Sequence, residues 1–176
     1  MNKIPYPVKL ALFLVILGGI CGALLATVNS FTAPIIEELK IEQVRAKLEQ
    51  VVPFDNVSYT EITNLDKVKG IVTAYSGKIG EEEVAIVYHG RIQGFASTIE
   101  ALVSVDVKTG NILGISIVSE KETSGKNIVD FDYGLPGKSI DAVESNFKFI
   151  GGATVSTEAI RDLVLNVQAQ YARDRK

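Results

Sequence analysis

Leu10 to Ile36 contains no charged residue, and Leu10 to Val28 is apolar apart from Thr27. As a helix rising about 1.5 Å per residue, Leu10–Val28 is roughly 28 Å long, enough to cross the hydrocarbon core of a bilayer. A cleaved signal peptide is the competing reading. Its apolar region is shorter, about 7–15 residues, and ends at an Ala-x-Ala-like site. Val28-Asn29-Ser30 is a poor imitation of that site, and Cys21 sits among glycines in mid-run rather than in a lipobox. The run therefore predicts an uncleaved anchor over residues 10–33. Lys3 and Lys9 precede it and Glu37 and Glu38 follow. The excess of positive charge on the first side predicts a cytoplasmic segment 1–9, one pass through the cell membrane, and an extracytoplasmic remainder. Gly18, Gly22 and Ala26 share one helical face, a row that lets a partner helix approach closely, although glycine is frequent in membrane helices anyway.

With 176 residues and 47% hydrophobic content, the chain has room for one further domain. Its chemistry is restricted. The only cysteine lies in the anchor and the only histidine is His89, which excludes a disulfide framework and thiolate metal sites outside the membrane. His89 precedes Gly90, which points to a polar turn. No Gly-x-Ser-x-Gly elbow is present for a hydrolase. Gly137-Lys138-Ser139 has the ending of a phosphate-binding loop, but Asp132 stands where the first glycine belongs. Without Lys3 and Lys9 there are 16 basic and 21 acidic residues, which argues against nucleic acid as a partner.

Residues 34–83 read as a linker. Pro34 and Glu37-Glu38 mark its start, Leu39, Val44, Leu48 and Val51 predict a helix ending near Pro53, and residues 55–82 carry no clear pattern. From Val84 the pattern is that of strands. Val84–Tyr88, a break at His89-Gly90, and a run through Phe95 and Ile99 read as neighbours. Leu102–Val107 and Ile112–Val118 flank Lys108-Thr109-Gly110-Asn111, the clearest hairpin in the chain. Residues 119–138 are loop-rich. Ile160, Leu163, Val164, Val167 and Tyr171 then recur with a 3.6-residue period. The expected architecture is α+β: an N-terminal transmembrane helix, then a domain over 84–176 with an antiparallel sheet and flanking helices.

That last helix is preceded by Gly151-Gly152-Ala153-Thr154-Val155-Ser156-Thr157. Two glycines make a tight turn, and Ser156 or Thr157 can cap the helix. Free N–H groups and the positive end of the dipole at a helix N-terminus also favour a phosphate. Spacing alone leaves both readings open, a purely structural cap and a phosphate site.

Gly152-Ala153-Thr154 with its helix resembles the Ser-Gly-Ala-Thr signature of the FMN-binding domain, found in the G subunit of the Rnf electron-transport complex and the C subunit of the sodium-pumping NADH:quinone oxidoreductase. Gly94-Phe95, Val105-Asp106-Val107, Gly110 and Glu120-Lys121-Glu122-Thr123-Ser124-Gly125 follow the order of that domain's other motifs. The resemblance spans about residues 84–172, and the N-terminal anchor and short chain are similar to the Rnf G subunit. It implies FMN joined to Thr154 by a phosphoester, installed by a flavin transferase. Gly151, Gly152, Ala153, Val155, Ser156 and Thr157 would lie around the phosphate, the last two offering hydroxyls and N–H groups. Glu122, Thr123, Ser124 and Gly125 would form the loop facing the flavin. The chain departs from the family pattern at Ser124, usually Pro, at Lys126-Asn127, usually Leu-Gly, at Lys148, usually Asp, and at Gly151, usually Ser or Thr.

The resemblance further implies an electron relay among other membrane subunits, in a complex that moves electrons between ferredoxin and NAD coupled to ion transport, with no catalysis by this chain alone. Two other readings stay open: a flavin-free subunit bracing such a complex, and an anchored binding module without a redox role.

Overall fold

The structure, a computed structural model, describes residues 5–122 and 127–175, with side chains left aside over 34–40. It divides into two units, Met1–Gln43 and Val44–Lys176. Helix α1 spans Tyr6–Val51. Its segment Tyr6–Ala33 is long and apolar enough to cross a membrane, and none of its side chains is buried by protein. Leu12, Phe13, Leu24, Leu25 and Phe31 are among the exposed residues. Apolar exposure on this scale requires a nonaqueous surrounding or a protein partner.

The second unit is built on a five-stranded antiparallel sheet in the order β1-β2-β3-β4-β5. The strands are β1 Ser58–Glu61, β2 Ile71–Ile79, β3 Glu82–Gln93, β4 Thr98–Asp106 and β5 Ile112–Ser119. Two differences from the sequence expectation stand out. The unpatterned stretch 55–82 supplies β1 and β2, so the sheet begins well before Val84. The expected break at His89-Gly90 is also absent, because β3 runs straight through it, pairing His89 with Leu102 and Gly90 with Ala101. Gly90 is needed there for packing rather than turning. A Cβ at that position would lie 3.0 Å from Leu163 of the C-terminal helix.

Both faces of the sheet are covered, which explains why β3 and β4 lack clean alternation. One face carries Tyr88, Ile99, Ala101, Val103, Val105 and Ile117 against helix α3, Thr154–Asp174, through Ile160, Leu163, Val164 and Val167. The other carries Ala85, Val87 and Leu102 under Val44, Leu48 and Val51 of α1. Residues 128–150 close the first core with Ile128, Tyr133, Leu135, Ile140, Val143 and Phe147, and include a 3₁₀ turn at Ile140–Ala142 and the short helix α2 at Val143–Asn146. The hairpin around Gly110, at φ 71°, forms as its turn residues predict.

His89 is a buried residue, not a turn. Its Nε2 lies 3.3 Å from Glu100 Oε2 but too far off line to form a hydrogen bond, and Arg91 clamps the same carboxylate at 2.8 Å. Burial lowers the imidazole pKa, Glu100 opposes that shift, and Arg91 adds to it. A histidine that binds its proton less readily when folded contributes stability above its unfolded pKa of about 6.5, and that stability fades as pH falls below it. Chemical denaturation at descending pH is expected to show this loss in the native sequence and not in His89→Gln.

Candidate functional site

Helix α3 begins at Thr154, with Ala153 as its N-cap and no side-chain capping bond. This corrects the expectation that Ser156 or Thr157 caps it. Both lie inside the first turn, buried, with their hydroxyls committed elsewhere. Thr157 Oγ1 donates to the carbonyl of Ala153 at 2.6 Å, and Ser156 Oγ donates to the carboxylate of Glu122. Both hydroxyl donors are used within the protein.

Thr154 itself is exposed. The first intrahelical bond runs from the N–H of Thr157 to Ala153, and among the described residues no acceptor meets the N–H groups of Thr154, Val155 or Ser156. Three free donors at the positive end of a helix, beside a free hydroxyl, fit a phosphate ester by both hydrogen bonding and charge. The turn ahead leaves room for it. Gly151 has nothing within 4 Å of where a Cβ would stand, and Gly152 holds φ at 85°. The two glycines therefore separate in a test. Gly152→Ala is expected to lower stability by about 1–2 kcal/mol, the cost of a left-handed alanine, while Gly151→Ala stays within about 0.5 kcal/mol as a surface change. Thermal melts of the pair check both.

Behind this turn Glu122 joins three segments. Its carboxylate accepts the backbone N–H groups of Phe95 at 3.1 Å and Ser97 at 2.9 Å, the Ser97 hydroxyl at 3.1 Å, a longer contact from the Ala96 N–H at 3.3 Å, and the Ser156 hydroxyl. The β3–β4 turn, the segment leaving β5 and the first turn of α3 are thereby fixed to one another. Burial alone would raise the carboxyl pKa, but the hydrogen bonds from Ser156, Ser97 and Ala96 outweigh it and hold the group below its ordinary range. Gly94 is what admits the carboxylate, since a Cβ there would stand 2.6 Å from Glu122 Oε1 and 2.8 Å from Ile99 Cδ1.

Of the residues expected at the site, Gly151, Gly152, Ala153, Thr154, Val155, Ser156, Thr157 and Glu122 form one neighbourhood. Thr123, Ser124 and Gly125 lie outside the described residues. The 94–97 turn is a member that sequence reasoning missed. Gly94 is visible as an aromatic-glycine motif, but nothing in the sequence links it to Glu122, 28 residues on. Lys148, where the family pattern has Asp, pairs with Asp132 at 2.5 Å while its N–H donates to the Tyr133 carbonyl, tying the approach to Gly151 onto the 128–137 loop.

A helix start opened by a Gly-Gly turn and braced from behind by a carboxylate is an arrangement that can receive a phosphate. Residues 94–168 match the FMN-binding domain family. The chain is similar to the G subunit of the Na(+)-translocating ferredoxin:NAD(+) oxidoreductase complex of Acetobacterium woodii, with 27% identity over 128 residues, covering 66% of this chain and 61% of that protein. The chain thus spans about three fifths of the length of the curated relative it matches.

Proposed function

We propose that the protein is a membrane-anchored flavoprotein subunit that relays electrons through an FMN esterified to Thr154. The observation that carries the proposal is exposed Thr154 at the first residue of α3, beside three N–H groups that meet no acceptor among the described residues, inside a segment that matches the FMN-binding domain. Bound flavin supplies the electron-carrying chemistry, and the protein fixes its position, potential and exposure. Thr154 holds the phosphate, the N–H groups of Thr154 to Ser156 offset its charge, and Gly151 and Gly152 keep the approach open.

The relative's name describes one subunit of a sodium-translocating ferredoxin:NAD(+) oxidoreductase complex, and we assign this chain the same kind of place among membrane partners. Residues 10–33, within the apolar helix segment Tyr6–Ala33, are its anchor, with residues 1–9 on the cytoplasmic side and the FMN-binding domain outside. No charged residue lies within Leu10–Ile36, where an ion path through the span would be expected to need one. Attachment requires a flavin transferase.

Co-expression of the chain with a flavin transferase, followed by intact mass and flavin fluorescence of the denatured protein, tests the proposal. A gain of one FMN less water supports it. An unmodified mass with no flavin spectrum in the native protein overturns it in favour of a flavin-free brace.

A further inference from the structure

Among the described residues of the second unit, the two most exposed large apolar side chains are Phe95, at 68%, and Val155, at 51%. A single exposed apolar residue is ordinary, but the two largest exposures of a domain falling at one place mark a binding surface. That place is the start of α3. Val155 follows Thr154 directly, about 100° round the helix. Ser156 lies about 100° further on, and its hydroxyl donates to Glu122 Oε2, the same oxygen that accepts the Phe95 N–H at 3.1 Å.

These contacts bound the distance from Thr154 to Phe95. Two donors on one oxygen stand within about 6 Å of each other. Ser156 is only about 3 Å of helix rise beyond Thr154, so the Phe95 backbone lies within about 14 Å of the Thr154 Cα. An extended FMN, with its phosphate, ribityl chain and fused rings, is long enough to cover that span. Passing round the first turn of α3 from Thr154, the surface runs over Val155 to Glu122 and Phe95, the side on which the Glu122 loop is expected to face the flavin. The turn that carries Phe95 is held firmly. The Gly94 N–H donates to the Ser97 carbonyl at 2.8 Å, and Glu122 accepts the N–H groups of Phe95 and Ser97. An uncovered aromatic ring on a fixed backbone is preorganised to receive a flat apolar partner.

We infer that Phe95 and Val155 form the apolar surface against which the isoalloxazine ring of the FMN tethered at Thr154 rests. The inference rests on the function proposed above and adds to it the residues that hold the ring. Contact between the flavin and Phe95 removes apolar area of both from water and limits the orientations the ring can take. Glu122 then has a second consequence. By fixing the Gly94–Ser97 turn to the first turn of α3, it sets the separation between the aromatic contact and the point of attachment.

The test compares the full chain with Phe95→Ala, Phe95→Tyr and Phe149→Ala, each co-expressed with flavin transferase. Phe149→Ala is the control, an exposed phenylalanine that packs on Phe147 and Arg161 instead. Covalent occupancy is read by mass, and ring immobilisation by visible circular dichroism per bound flavin and by flavin fluorescence anisotropy in the native protein. Far-UV circular dichroism checks the fold of each variant. The expected result is loss of most of the induced dichroism together with a fall in anisotropy in Phe95→Ala, and retention of both in Phe95→Tyr and Phe149→Ala. Native dichroism and anisotropy in a folded, flavin-bearing Phe95→Ala overturn the contact surface and leave the flavoprotein assignment intact. The surface is likewise overturned if Phe149→Ala alone frees the ring. Absence of flavin from the native sequence overturns both.

Discussion

Thr154→Ala is expected to abolish covalent flavin completely while leaving the fold in place. The two halves of this expectation have separate causes. Loss of the ester follows because only Thr154 combines an exposed hydroxyl with the free N–H groups of α3; the neighbouring hydroxyls of Ser156 and Thr157 are buried and already bonded to Glu122 and Ala153. Neither can take over without breaking the first turn of the helix. Stability should change by no more than about 0.5 kcal/mol, the range of an ordinary surface substitution. A capping threonine would cost about 0.5–2 kcal/mol, but the N-cap is Ala153 and it makes no side-chain bond. Intact mass and a denaturant titration on the same preparation check both halves. Thr154→Ser should retain the mass gain, since it keeps the hydroxyl at the same position. A flavin mass that survives Thr154→Ala would move the attachment elsewhere. A large loss of stability without any flavin in the parent chain would return the glycine turn to a purely structural role.

What the sequence makes legible follows from which interactions are local. The period of Ile160, Leu163, Val164, Val167 and Tyr171 announces α3 because one buried stripe decides that helix, and all five residues are buried. The Gly110 hairpin is readable because its turn chemistry lies within four residues. β2 is not, since its buried positions, Ile71, Thr73, Ala74, Ser76 and Gly77, mix polar with small apolar residues and do not alternate. Register shifts after Ile71 and Gly77 break the pattern further. His89-Gly90 reads as a break because a polar residue and a glycine usually punctuate a chain. In the fold, Leu163 fills the space over Gly90 and the Glu100–Arg91 pair stands beside His89. The site divides in the same way. Thr154 and its glycines are contiguous and can be named from the sequence, whereas the brace at Glu122 depends on contacts to residues 25–34 positions away, which local pattern does not encode.

Glu122→Ala is expected to be the most destabilising change at the site, by about 2–4 kcal/mol. Hydrogen bonds to a charged group contribute about 1.5–3 kcal/mol each. Glu122 accepts several, but shares two oxygens among them and is only partly buried, so the sum is discounted rather than added. Glu122→Gln keeps the shape while replacing one acceptor oxygen with a donor that faces N–H groups, and about half the loss is expected. Gly94→Ala should act in the same direction from the other side, because the new Cβ collides with the carboxylate. The pH dependence has a definite sign. The folded carboxyl pKa is depressed, so the stabilisation is present above the ordinary glutamate range near 4.3 and is lost as pH falls through the lower folded value. Urea titrations near neutrality and in mild acid should therefore converge for the native chain and Glu122→Gln as the acid limit is approached. Hydrogen exchange locates the effect, with faster exchange expected at the amides of Phe95 and Ser97 in both Glu122 variants. A Glu122→Ala protein that unfolds at the native denaturant midpoint and keeps those amides protected would show that the carboxylate does not hold the three segments together. If the brace holds, loosening it frees Ser156 and the first turn of α3, and flavin loading at Thr154 should fall with it.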